Sequence, residues 1–237
     1  MSGHSKWSTI KHKKAALDAK RGKVFTKIVK EITIAAREGG GDPAANPRLR
    51  TLLDKAKQVN MPSDNVQRAV KKGTGELPGQ SYEAMTYEGY GPGGIAVIVD
   101  VLTDNKNRAV GDLRHLFSRQ GGKLGETGSV NWMFDFVAAI RITAKDLGED
   151  QLLELLLDYP VKDIIDEQGV FLVTADPKSL EAVRSALQAE GCEVKAAELE
   201  WQPKNRVALE KDDEEKAFTF LEALDDLEDV QNTYTNL

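Results

Sequence analysis

Residues 135–201 carry the segments whose order decides the fold: DFVAAIRIT (135–143), DQLLELLLD (150–158), KDIIDE (162–167), GVFLVTA (169–175), LEAVRSALQAEG (180–191) and EVKAAELEW (193–201). The first is rich in residues that favour a pleated surface and predicts a strand. The second carries Leu152, Leu153, Leu155 and Leu156 and predicts a helix over 149–158. Strands follow near 162–167 and 169–175. A further helix is opened by Asp176-Pro177 and closed by Gly191, and a strand runs over 193–201. That order, β-α-β-β-α-β, is the ferredoxin-like pattern.

The flanking segments belong to a different sheet. Upstream, Tyr82–Tyr90 and Ile95–Thr103 read as strands on either side of Gly91-Pro92-Gly93-Gly94, a hairpin turn. A helix with Val110, Leu113, Leu116 and Phe117 follows. A loop with Gly121, Gly122, Gly125 and Gly128 then leads into Val130–Phe134. Downstream, Asn205–Leu209 reads as a strand, Asp212–Leu227 as an acidic helix and Val230–Thr235 as a closing strand. These last segments complete the sheet begun at Tyr82, which makes 134–203 an insertion.

The first 75 residues read as helix throughout. Val24, Phe25, Ile28, Val29, Ile32, Ala35 and Ala36 recur at helical spacing until Gly39-Gly40-Gly41 and Pro43. A second helix starts after Asn46-Pro47, an N-cap with proline in the first turn, and buries Leu49, Leu52, Leu53 and Ala56. A short third helix follows Pro62 with Ser63 as cap, carries Val66, Ala69 and Val70, and stops at Gly73 and Gly75. Residues 76–81 form a linker. The expected fold is thus α+β and multidomain: a three-helix bundle over 1–75, an α/β domain from 82–133 plus 204–237, and a ferredoxin-like domain over 134–203 inserted into it.

Composition narrows the function. The chain has 237 residues, 41% hydrophobic and 30% charged, enough apolar material for small cores and too mixed in charge for a disordered tail. The longest aliphatic run, Ile95–Val99, is far short of the roughly 18 residues of a membrane span. No apolar segment follows Met1, so a secretory signal is not expected. The single cysteine, Cys192, fits a reducing compartment, and His4, His12 and His115 show no zinc-ligand spacing. A cytoplasmic protein without membrane, metal or cofactor is expected.

The net charge of −6 conceals a division. Residues 1–75 hold 17 Lys and Arg against six Asp and Glu, a net +11, and the remainder is −17. Phosphate binding depends on charge density within about one Debye length, so the basic third can bind a polyanion that the whole chain would repel. Lys20, Lys23, Lys27 and Lys30 cluster on one side of the first helix, roughly 150° from its apolar face. Lysines on such a face are ordinarily just solvated. Here Lys6, Lys11, Lys13, Lys14 and Arg21 adjoin them and no acid precedes Asp18, which favours phosphate contact. A row of lysines suits backbone attraction more than base readout. Trp7, between Lys6 and Lys11, either stacks on an unpaired base or anchors the arm to the bundle.

No enzyme signature appears. Gly89-Tyr90-Gly91-Pro92-Gly93-Gly94 spells the dinucleotide fingerprint, but a strand follows it where that motif opens a helix. The glycines around Lys123 lack phosphate-loop order. Asp104 and Asp112, or Asp212, Asp213, Glu214 and Glu215, read as solvated helix starts. Catalytic residues are not expected.

Several blocks resemble the YebC/PmpR family. They are Ser2-Gly-His-Ser-Lys-Trp-Ser-Thr-Ile-Lys-His-Lys-Lys14 with Lys20-Arg-Gly-Lys-Val-Phe-Thr-Lys27, then Asn60-Met-Pro and Tyr87-Glu-Gly-Tyr-Gly-Pro-Gly-Gly94. Leu102-Thr-Asp-Asn-Lys-Asn-Arg108 and Asp229-Val-Gln-Asn-Thr-Tyr-Thr-Asn236 continue the resemblance over essentially the whole chain. It implies a cytoplasmic protein with a helical bundle and two α/β domains, one inserted in the other. It also implies one of two functions, since some members resemble DNA-binding repressors and others act on the ribosome, as the mitochondrial translational activator of cytochrome c oxidase does, easing elongation through proline runs. Carried over residue by residue, it makes Lys6, Trp7, Lys11, Lys13, Lys14, Lys20, Arg21, Lys23 and Lys27 nucleic-acid contacts.

Two partners therefore stand: ribosomal RNA, and double-stranded DNA. A sequence-specific reader presents Arg, Asn or Gln to base edges. The first helix offers mainly Lys, and only the third, with Asn65, Gln67, Arg68, Lys71 and Lys72, has that composition. The acidic remainder would repel a long duplex lying across it. The residues lean toward the ribosome.

Overall fold

A computed structural model describes residues 21–144, 147–167 and 169–237. They fall into two compact units, Met133–Asn205 and the segments on either side of it.

In the second of these units three helices come first: α1 (Arg21–Gly39), α2 (Pro47–Gln58) and α3 (Ser63–Gly73). Ile28, Ile32, Ala35, Leu49, Leu52, Ala56 and Ala69 form their shared core. Asn46 caps α2 by accepting from the Leu49 N–H, with Pro47 in the first turn as the sequence predicts. Its amide also donates to Ala35 and Gly40 carbonyls, which ties the end of α1 to the start of α2. Ser63 is not a cap: it is the first helical residue of α3, after Pro62.

The same unit continues with β1 (Glu83–Tyr90), β2 (Ala96–Thr103), α4 (Lys106–Arg119) and the short β3 (Lys123–Leu124). After the insertion come α7 (Lys211–Asp225) and β8 (Val230–Thr235). The sheet is antiparallel in the order β3-β1-β2-β8. Its β1–β2 connection is a 3₁₀ turn, Pro92–Gly94, where Gly93 and Gly94 both take left-handed φ that a side chain would resist. The glycine run is thus a turn and no dinucleotide cradle. Val97, Val99 and Val101 of β2 pack with Leu113 and Phe117 of α4 and Phe220, Leu221 and Leu224 of α7. The Phe117 and Phe220 rings meet edge to face at 4.9 Å.

The strand expected at Asn205–Leu209 does not form. That segment is irregular; the Val207 N–H bonds the Asn236 carbonyl, past the end of β8, and Leu209 turns into the core. An apolar anchor in an extended loop has the same local pattern as a strand.

The other unit has β4 (Phe134–Thr143), α5 (Glu149–Leu155), β5 (Val161–Asp166), β6 (Phe171–Ala175), α6 (Leu180–Ala189) and β7 (Glu193–Pro203). Its antiparallel sheet runs β5-β6-β4-β7, the ferredoxin-like order. Ala138, Ile140 and Ile142 face Leu152, Leu156, Val183 and Leu187 of the two helices. Arg141 and Glu200 form a buried bidentate pair at 2.7 and 3.0 Å.

Candidate nucleic-acid interface

Lys6, Trp7, Lys11, Lys13, Lys14 and Lys20 lie outside the described residues, as does the side chain of Arg21. Of the rest of the lysine row on α1, Lys23 is exposed, Lys27 half-buried and Lys30 buried, and all three have partners in the fold. Lys23 Nζ donates to the Asp226 carbonyl at 3.4 Å and lies 3.1 Å from its carboxylate. Lys27 Nζ donates to the carbonyls of Asp225 and Gln231 at 3.2 and 3.4 Å. Lys30 Nζ donates to the Glu228 carbonyl at 3.1 Å and to Asp229 Oδ1 at 2.9 Å. Lys23 and Lys27 meet the C-terminal end of α7, where carbonyls lack intrahelical partners and the helix dipole is negative, and Lys30 meets the turn that follows it.

Lys30, expected among the phosphate contacts, is 4% exposed and is used inside the fold. Its removal from the nucleic-acid row has a physical reason. Around Lys27 and Lys30 the face of α1 opposite its bundle core is itself covered, by the acidic segment 225–229. One signal for this was present: Ile34, one turn after Lys30, is buried on that face.

Asp229 is the hub of this contact. Besides Lys30 it accepts from Thr103 Oγ1 at 2.9 Å and from Arg108 Nη2 and Nε at 2.8 and 3.2 Å. Burial pushes its carboxyl pKa up, but the bonds from Lys30, Arg108 and Thr103 outweigh that and hold it below the usual carboxylate range. The Arg108 guanidinium, bonded to Asp229 and to Asp104, is held fully protonated. The blocks Leu102–Arg108 and Asp229–Asn236, far apart in sequence, meet here. Thr103 and Asp229 lie in two of the blocks that carry the family resemblance, but nothing local to either marks a contact made across more than a hundred residues.

Helix α3 shows the opposite behaviour. Ala69 and Gly73 are buried against the bundle, while Gln67, Arg68, Lys71 and Lys72 are exposed. Among the described residues no ion pair engages Arg68, Lys71 or Lys72, whereas Arg48 pairs with Glu38 and Lys57 with Asp54. Arg68, Lys71 and Lys72 thus form an outward basic cluster on α3.

The acidic clusters are accounted for locally. Asp104 pairs with Arg108, and Asp212, Asp213 and Glu214 occupy the first turn of α7, with Asp213 paired to Lys216. Among the described residues no group of three His, Cys, Asp or Glu side chains is placed to hold a metal, and no helix is long and apolar enough to cross a membrane.

A helical bundle with an outward basic helix, joined to two antiparallel α+β sheets, defines a multidomain protein of a known kind. The model of the TACO1/YebC N-terminal domain matches residues 5–76, and that of the TACO1/YebC second and third domain matches residues 82–237. The chain belongs to the TACO1/YebC family. A probable transcriptional regulatory protein of Chlorobaculum tepidum is 53% identical over all of this chain and 95% of its own length. Another so named, from Desulforapulum autotrophicum, is 51% identical over all of this chain and 96% of its own. The crystal structure of a conserved hypothetical protein from Aquifex aeolicus superposes with a TM-score of 0.87 at 41% identity, covering 98% of this chain and 96% of that one.

Proposed function

We propose that this chain is a non-enzymatic, nucleic-acid-binding regulator of gene expression that works in the cytoplasm on the ribosome, where it is held to ribosomal RNA and relieves stalling at sequences such as proline runs. The observation that carries the reading is the separation of charge: +11 in residues 1–75 and −17 in the rest, with Arg68, Lys71 and Lys72 exposed on α3. Residues 1–75 are then the gripping domain. The domains over 82–133 with 204–237 and over 134–203 reach toward tRNA or ribosomal protein, and it is the basic surfaces of ribosomal protein that accept their acidic charge.

A second reading, a transcriptional regulator on duplex DNA, is favoured by one feature. Gln67 and Arg68 stand side by side on an exposed helix, and both residue types reach base edges in a major groove. The names of the relatives agree with it.

Sedimentation of tagged protein from DNase-treated lysate separates the two. Co-migration with ribosomal particles at low salt and release at high salt is expected. Protein that stays at the top of the gradient, while genomic DNA capture enriches discrete sites, overturns the ribosomal reading in favour of the second.

A further inference from the structure

Lys23, Lys27 and Lys30 of α1 meet one acidic segment, 225–229, but not with equal firmness. The Lys30–Asp229 pair is sealed, with side chains 5% and 8% exposed. The Lys23–Asp226 pair, about 10 Å away along α1, is open to water on both sides, at 53% and 47%. Between them, half-buried Lys27 donates to two uncharged acceptors, the carbonyls of Asp225 and Gln231.

The energetics follow the same gradient. Breaking the buried pair would leave a charge without a partner in a poor solvent. An exposed ion pair contributes little and is screened by salt. Asp226 is itself exposed, so its carboxylate returns to water when Lys23 leaves it.

The segment offers α1 much of what a nucleic-acid backbone would offer. Asp225, Asp226, Glu228 and Asp229 place four carboxylates within five residues, and the carbonyls at the end of α7 add partial negative charge. A lysine ammonium is a point charge with rotatable donors, which carboxylate, carbonyl and phosphate oxygens all satisfy. Phosphate contact also releases counterions from the polyanion, a gain that the internal carboxylates do not supply.

From this arrangement we propose that Lys23 and Lys27 form a phosphate site that segment 225–229 fills in the free protein. A bound nucleic-acid backbone displaces the segment from these two lysines, while Lys30 and Asp229 stay paired. The segment is thus an internal competitor, which lowers the affinity for every polyanion and yields only to one of high charge density. The proposal rests on the nucleic-acid reading above and adds to it a control on when α1 becomes available beside α3.

The test uses the full chain and a labelled poly(A)·poly(U) duplex, read by fluorescence anisotropy at about 0.1 M salt, where the Debye length is about 10 Å. Asp226→Asn should tighten binding about threefold to fivefold, the strength of the exposed pair it removes. Asp212→Asn changes the net charge equally but lies in the first turn of α7, about 21 Å from Asp226, and should change binding little. Lys23→Ala should weaken binding, and in its background Asp226→Asn should bring no gain beyond that of Asp212→Asn. The circular dichroism melt should be the same for all four proteins. A gain from Asp226→Asn no greater than that from Asp212→Asn overturns the proposal and leaves the α3 surface untouched. So does a gain that persists without Lys23. Wild-type protein that binds neither the duplex nor ribosomes overturns the nucleic-acid reading along with it.

Discussion

Lys30 Nζ and Asp229 Oδ1 form a 2.9 Å ion pair whose side chains are only 5% and 8% exposed, although 199 positions separate them in the chain. It joins the first helix to the turn before the last strand. A buried pair of this kind gains little over an apolar replacement but is costly to break, because one charge is left without a partner in a poor solvent.

Asp229→Ala should therefore destabilise the unit by about 3–5 kcal/mol, since it strips the partner from buried Lys30 and from one side of Arg108. Lys30→Met should cost clearly less. It substitutes an apolar stem of similar length, and Asp229 keeps Arg108 and Thr103. Urea unfolding of the two variants checks the order, and equal losses would mean that Asp229 is not the hub.

The same carboxylate gives a pH signature. Its folded pKa lies below the unfolded value of about 3.9, so its contribution is fully present above about pH 4 and is lost as the pH falls through the folded value. Wild type should lose stability more steeply than Asp229→Asn as the pH falls below about 4. Parallel curves for the two proteins would refute the linkage.

That Lys30 is buried while Lys23 is exposed lies beyond what a helix wheel can show. Spacing places Lys23, Lys27 and Lys30 opposite Ile28 and Ile32, and the structure agrees. Spacing does not tell whether a polar face meets water, phosphate or the carbonyl end of another helix, because each offers the same electrostatics to an ammonium. The ferredoxin-like order, by contrast, was legible, since alternation, helical period and the Asp176-Pro177 and Gly191 boundaries are local. The strand expected at Asn205–Leu209 failed for the reason that Lys30 did: a side chain's partner, here the core around Leu209, lies elsewhere in the chain. Helix α3, named only as a possible base reader, presents Arg68, Lys71 and Lys72 outward.

Cys192 should be inert in the folded protein. It is buried, and burial first and Glu190 second push its thiol pKa up, which lowers the thiolate fraction that reacts. Labelling with an aromatic disulfide reagent should be slow at neutral pH and become fast in denaturant. Rapid stoichiometric labelling without denaturant would show that the strand edge at Glu193 opens freely.

Gly73 tests how closely α3 lies on α1. A Cβ there would run into the Thr33 carbonyl and come within 2.7 Å of the Ala36 Cβ, and backbone cannot swing aside as a flexible side chain can. Thr33 Oγ1 meanwhile bonds to the Ala69 carbonyl across the same crossing, so a shift of α3 would lengthen that bond too. Gly73→Ala should cost about 1–3 kcal/mol from overpacking, despite alanine's better helix propensity. Gly111→Ala in α4, where a Cβ meets open space, is the control and should be neutral or stabilising. If Gly73→Ala raised the melting temperature as much as Gly111→Ala, the two helices could not lie as close as this, and the basic face of α3 would be presented differently from the way described.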